Sequence, residues 1–307
     1  MSIFTRYQQA FFSFLLLLTA AIWGSSFLVL KDTLELLPLI FILAARFTIA
    51  GLALAYYLWV ARPQWNKALG VGGLVTGSLL FLAYATQGYG LYYTTVSKNA
   101  LFCALYVIFV PFLAYWVRRE RLAPAVYWAA VISFVGVAVI SDPRGLNALN
   151  KGDLWSIFGA FCDASHIIAV AHFSTKVETM PLSALQFMVA ALWGWLGVYA
   201  WGAFPPEISG AAWGGLAWIS IMATLVAVCI MNLAIRYVSS ARTVILLSTE
   251  SLFACFCGII FRDDPFSWQF ASGVVLILGA VLLSQLGVST KGPAAPLEDS
   301  TSAPACK

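Results

Sequence analysis

Residues 11–30 read FFSFLLLLTAAIWGSSFLVL, twenty positions without a charge or a proline. A helix needs about 20 apolar residues to cross the hydrocarbon of a bilayer. Lipid offers no water to backbone N–H and C=O groups, so a helix, which satisfies them internally, is the economical way across. Working outward, nine comparable stretches follow, at 38–60, 69–88, 98–117, 125–141, 153–173, 182–203, 214–235, 243–261 and 268–287. Of 307 residues 62% are hydrophobic and only 10% charged, and the mean hydropathy is +0.89, more apolar surface than a soluble fold can bury. The fold class that follows is an all-α integral membrane protein with ten transmembrane helices. Residues 6–25 resemble a signal peptide, but the apolar run continues through Trp23, Phe27 and Leu30, so an uncleaved first helix is expected.

The formal net charge is +4 and no Lys/Arg run is built for nucleic acid, which excludes that partner. Five of the six cysteines fall in apolar stretches, Cys306 is in the tail, and no C-x-x-C pair occurs. Neither a disulfide framework nor a metal site is signalled, and no cofactor is expected. No phosphate-binding G-x-x-x-x-G-K-[ST] loop is present.

Most joins between stretches are short, so neighbouring helices run antiparallel. With the N-terminus in the cytoplasm, eleven basic residues fall inside (Arg6, Arg62, Lys67, Arg118, Arg119, Arg121, Lys176, Arg236, Arg242, Lys291, Lys307) and five outside (Lys31, Lys98, Arg144, Lys151, Arg262). That bias places both termini in the cytoplasm. The second half also echoes the first. With a shift of 144, Tyr93 meets Tyr237, Lys98 meets Arg242, Phe109 meets Phe253, Arg118 meets Arg262 and Glu120 meets Asp264. After one skipped residue, Gly136 meets Gly279 and Ser141 meets Ser284. Five helices per half is odd, so the second half inserts upside down relative to the first. The predicted organisation is two five-helix inverted repeats, 1–145 and 146–288, and a disordered tail, 289–307, rich in Ser, Thr, Pro and Ala.

A charge in the bilayer costs roughly 2.5–3.5 kcal/mol on insertion scales, so such groups face a cavity or a partner. Arg46, Asp163, His166 and Glu250 are of this kind. Arg46 and Asp163 lie at similar depths, ~12 and ~15 Å from the same side at 1.5 Å per residue. They are therefore candidates either for a static salt bridge or for contact with a charged solute or a proton. His166 follows Asp163 by three residues on one helix face and suits a proton relay. Glu250 is a proton or amine site, or else a partner of Arg236 or Arg242. Trp23 is too deep for an interfacial belt and is expected to line a cavity. Tyr84, Gln87, Tyr106, Trp193 and Asn232 are further polar or aromatic candidates at depth, each of which could equally serve helix packing. Asp163, Ser165 and His166 superficially suggest a hydrolase, but residues two apart do not share a helix face, and a triad needs convergent geometry.

Six elements in order resemble the EamA family of the drug/metabolite transporter superfamily, over about residues 1–288. They are Ala21–Phe27 (AIWGSSF), Arg46-Phe47, Gly90–Ser97 (GLYYTTVS), Leu105–Pro111 (LYVIFVP), Arg119–Leu122 (RERL) and Thr249–Ala254 (TESLFA). The chain departs from the family pattern at Ser251 (usually Pro), Asp264 (usually Glu) and Asp163 (commonly aromatic). The resemblance implies no enzyme but a secondary carrier in the inner membrane. Its expected partners are the lipid bilayer, a small-molecule metabolite (amino-acid-like, and exported by alternating access) and protons. In that reading Trp23 is an aromatic wall, Arg46 a carboxylate clamp, Asp163 a proton site, His166 a relay and Glu250 an inner-mouth acid. A membrane scaffold or receptor without transport, or an intramembrane hydrolase, is the alternative.

Overall fold

A computed structural model describes residues 3–61, 65–118, 123–140, 149–234, 237–238, 243 and 246–286. Among them every regular element is helical. The first half holds α1 (Ile3–Leu36), α2 (Leu39–Ala61), α3 (Lys67–Tyr93), α4 (Val96–Cys103), α5 (Tyr106–Arg118) and α6 (Pro124–Ile140). The second holds α7 (Lys151–Phe173), α8 (Thr179–Trp201), α9 (Gly210–Ala217), a π-helical segment (Trp218–Val226), α10 (Ala227–Ala234), α11 (Glu250–Phe261) and α12 (Trp268–Leu286). Six stretches are long and apolar enough to cross a membrane: Tyr7–Leu36, Leu39–Tyr56, Lys67–Tyr93, Val96–Val117, Lys151–Phe173 and Thr179–Trp201. Four shorter apolar helices, Pro124–Ile140, Gly210–Val226, Leu246–Phe261 and Trp268–Ser284, occupy the other positions where spans are expected. The tail 289–307 lies outside the described residues, as do Arg62, Arg119, Arg121, Arg144, Arg236 and Arg242.

Local chemistry sets the helix ends. The Asn66 side chain accepts from Leu69 N at the start of α3, and Thr95 caps α4. Asn150 and Asp153 form a reciprocal capping box at α7. Gly202, at φ +62°, closes α8 in the left-handed conformation that glycine adopts without a Cβ clash. The bundle's outside is apolar: Trp59, Trp116, Phe134 and Trp268 are 72–84% exposed. Such groups would drive association in water; here they form a lipid-facing surface.

The packing follows an exchange of the two halves. α3 packs on α7 and α8, and the matching pairs in the other half are the π-helical segment and α10 on α1, and the π-helical segment on α2. α5 on α7 is answered by α11 on α1. α2 on α8 and α6 on α12 pair like with like across the junction, and α4 packs on α11.

One expectation needs correcting. The apolar stretch 98–117 is not one continuous helix but is broken at Ala104–Leu105, between α4 and α5. The bonds there tighten: Leu105 N donates to Phe102 O (3.2 Å), Ile108 N to Leu105 O (2.9 Å) and Phe109 N to Leu105 O (3.1 Å). The same trio recurs in the second half. Thr249 N donates to Leu246 O (3.2 Å), Leu252 N to Thr249 O (3.0 Å) and Phe253 N to Thr249 O (3.1 Å). Each bond is displaced by the 144 residues that relate the repeats. Pro111, inside α5, cannot donate to Val107 O, which weakens the turn just after the first break.

Candidate functional site

The two breaks place Tyr106 and Glu250 at equivalent positions, each the first residue of the helix that resumes. They face a common cleft lined by Ala104, Tyr106, Val107, Ser248, Glu250 and Ser251, with room for little more than a water molecule (about 10 Å³). The Ser251 hydroxyl donates to Ala100 O of α4 at 3.3 Å, tying the broken helices together. α1 also crosses here. A Cβ on Gly24 would lie 2.5 Å from Phe253 Cβ and 2.6 Å from the Glu250 carbonyl, so only glycine allows this approach. That crossing sets Trp23 beside the break, where its Nε1 donates to Ala223 O at 2.8 Å.

Acidic and basic side chains share this interior. Asp163 on α7 and Glu250 on α11 are close enough to feel each other's charge, and Tyr106 and Cys103 feel both. Tyr84 feels the two acids and also Arg46. The Arg46 guanidinium carbon sits 4.4 Å from the Tyr84 ring centroid, in cation–π range. Arg46 is only 5% exposed, and its Nε donates to Thr224 Oγ1 at 2.8 Å. The predicted candidates Trp23, Arg46, Tyr84, Tyr106, Asp163 and Glu250 are thus gathered in the region where α1, α2, α3, α5, α7, α11 and the π-helical segment meet.

The Arg46–Asp163 salt bridge left open by their depths is not formed. Arg46 turns to Thr224 and Tyr84, and no carboxylate lies within ion-pair distance of it among the described residues. His166 meets Gln186 (Nε2 to Oε1, 3.1 Å) and lies near Asp163, while the Ser165 hydroxyl donates to its own helix at Phe161 O. No Ser–His contact of a hydrolase exists there. Trp193 does not join the interior: it is 43% exposed and donates to Ser78 Oγ at 2.8 Å, bridging α8 to α3 on the outside. Gln87 offers its backbone carbonyl to Asn99 Nδ2 at 3.1 Å, toward the end of α3. The side chain of Asn232 lies outside the described residues.

A second polar region was missed by sequence reasoning, which treated its residues as loop charges. Lys98 Nζ and Asp153 Oδ2 form a 2.6 Å ion pair with side chains 4% and 0% exposed. Thr94 Oγ1 donates to the other oxygen of Asp153, and Asn99 Nδ2 donates to Ser156 Oγ at 2.7 Å. Ser97 gives both its N–H (2.8 Å) and its hydroxyl (2.7 Å) to Asp264 Oδ2. Lys31 Nζ donates to Thr94 O at 2.9 Å, and Lys151 lies 3.7 Å from the Tyr93 ring centroid. At the rim Arg262 pairs with Glu35 and Asp32, and the hydrogen bond to Glu35 holds its guanidinium above the ordinary value. Lys31, Lys98, Lys151 and Arg262, predicted to share one side of the membrane, therefore lie at one end of the bundle. That end is tied shut between the halves. The only hint in the sequence was N-x-x-D at 150–153, a capping-box spacing.

A separate groove of about 410 Å³ is lined by Phe109, Phe112, Leu113, Tyr115, Trp116, Tyr127 and Phe161. It is aromatic, holds no charged residue and is distant in character from the polar interior.

Known proteins resemble this chain in sequence and in fold. Residues 11–142 and 150–286 each match the EamA-like transporter family. An uncharacterized transporter of Archaeoglobus fulgidus is 27% identical over 274 residues, covering 89% of this chain and 85% of that protein. The uncharacterized transporter YcxC of Bacillus subtilis is 24% identical, covering 95% and 98%. One solved crystal structure superposes with a TM-score of 0.64 over 89% of this chain and 96% of its own, at 18% identity, a likeness of fold.

Proposed function

Because the chain belongs to the EamA-like transporter family, we propose that this multi-pass membrane protein is a secondary carrier that exports small polar or amphipathic, amino-acid-like metabolites by alternating access. It crosses the inner membrane ten times as two inverted five-helix repeats, 1–145 and 146–288, with both termini in the cytoplasm. Cargo binds between the repeats, where broken helices in corresponding positions are the expected mark of a transport site. One observation carries this reading. Arg46, Asp163 and Glu250 all lie near Tyr84, yet among the described residues no carboxylate reaches ion-pair distance of Arg46. Charges left apart at bilayer depth are costly unless something that crosses the site answers them.

In this reading Trp23 and Tyr106 wall the site, and Asp163 and His166 handle a proton. Glu250 takes a positive group of the cargo. The tied end, with Lys98–Asp153 at its centre, is the closed side.

The test is a comparison of metabolites released by cells with and without the gene, followed by flux of the identified solute through purified protein in liposomes. Asp163→Asn is expected to abolish that flux while the protein still purifies as a folded species; full flux in this variant would remove Asp163 from the mechanism. Cysteines placed by Arg118→Cys and Arg262→Cys should label from opposite sides, and labelling from one side would end the inverted arrangement.

A further inference from the structure

The π-helical segment Trp218–Val226 has no counterpart among the described helices. Such wide turns are rare and concentrate at functional sites. This one touches the polar interior twice. The Ala223 carbonyl receives the Trp23 indole, and Thr224 receives Arg46. The second contact has a defined direction. The Thr224 hydroxyl donates its own proton to Ile219 O, five residues back, at 2.9 Å. In an ordinary α-turn a threonine hydroxyl reaches the carbonyl three or four residues back. The wider turn thus fixes where the Thr224 proton goes and leaves the oxygen to accept from Arg46 Nε.

The partner so delivered is neutral. Thr224 takes only one of the five N–H groups of a guanidinium. Tyr84 adds a ring face and a side-chain hydrogen bond, but no negative charge. A buried cation without an anion is costly, and in folded proteins such charges are paired. The acids that could pair with it, Asp163 and Glu250, lie near Tyr84 but form no ion pair with Arg46 among the described residues. Thr224 therefore has two effects: it points the guanidinium, and it keeps it unneutralised.

We propose that Thr224, presented by the π-turn, is the positioning residue that holds Arg46 open as the subsite for an anionic group, a carboxylate or phosphate, of the transported solute. This rests on the carrier reading but is tested separately, on the purified full chain without any solute. Two variants remove the uncompensated charge: Thr224→Asp supplies the missing anion, and Arg46→Met replaces the cation by an apolar group of similar length. Each should raise the melting temperature in detergent by roughly 2–4 °C. A fall in both would mean that Arg46 is already satisfied, and would overturn the proposal.

For the solute found by the release comparison, Thr224→Asp should transport nothing, because its carboxylate occupies the subsite. Thr224→Val should raise KM at least tenfold with kcat less affected, and Thr224→Ser should restore the wild-type KM. A structural role alone would not produce that split and rescue; an unchanged KM in Thr224→Val overturns the positioning role. If no solute is carried by the wild type, the carrier reading fails, while the two melting shifts still decide whether Arg46 awaits an anion.

Discussion

The breaks at Ala104–Leu105 and Ser248–Thr249 share one backbone and differ in what they display. Three hydrogen bonds recur at a 144-residue displacement with lengths agreeing within 0.1 Å. Yet the residue that restarts the helix is Tyr106 in one half and Glu250 in the other, and the next is Val107 in one and Ser251 in the other. Repetition has kept the hinge-like geometry that opens a space at depth, while the side chains in that space have diverged. A symmetric frame thereby holds an asymmetric site, neutral on one wall and acidic on the other.

The frame and the site should respond differently to substitution. The largest effect is expected where the first break is anchored. α4, which leads into it, is held by the Lys98–Asp153 pair, buried on both sides. Lys98→Ala strands a buried carboxylate and should cost about 3–5 kcal/mol. Thermal unfolding in detergent checks this. Glu35→Gln at the exposed rim is the control, at about 0–1 kcal/mol. If the two variants melt alike, the first break is not anchored by this pair.

Next comes the difference between the equivalent residues themselves. Glu250→Gln keeps shape and removes charge. Losing one intramembrane charge interaction of roughly 3 kcal/mol corresponds to about a hundredfold loss of flux. Tyr106→Phe should lose far less, since its wall is aromatic either way. Flux assays on the two variants side by side would show whether the site is as lopsided as its side chains; equal losses would mean that both walls serve the cargo alike.

Parts of this molecule were legible from its residues because lipid imposes a blunt rule. An apolar run of twenty can be recognised wherever it falls, and Arg46, Asp163 and Glu250 stand out within such runs as charges that need a reason. The helix break at 104–105 was not legible, since neither glycine nor proline marks it and both flanks remain apolar. Nor was the partner of Arg46. A threonine at 224 in an apolar run reads as packing, and a π-turn has no compositional signature. Depth alone suggested pairing with Asp163; Arg46 instead meets Tyr84 and Thr224. Lys98 and Asp153 were misread for the opposite reason. They stand at the first positions of their spans, where charges are normally solvated, but the end of α3 packs against the start of α7, where a Cβ on Gly152 would lie 2.7 Å from both the Gly90 carbonyl and Thr94 N. Trp193 shows the limit of counting depth: it is deep in its span and still faces outward.

The smallest expected effect separates the second residues after each break. Val107 is 6% exposed and apolar, so Val107→Ala removes buried methyl groups and leaves a gap, at about 1–3 kcal/mol. Ser251 is 1% exposed, and its hydroxyl holds Ala100 O at a long 3.3 Å. Ser251→Ala removes that donor but exposes no new cavity, and the carbonyl it leaves already sits in a helix turn, so the cost should be about 0.5–1 kcal/mol. The two variants remove side-chain atoms from equivalent positions of one repeated backbone, so the difference between their melting temperatures isolates the divergence of the side chains. If Ser251→Ala proved the more damaging, the 3.3 Å bond would be the clasp that joins the broken helices, and the polar residue of the second half, not the apolar one of the first, would set how tightly the two breaks close on the site.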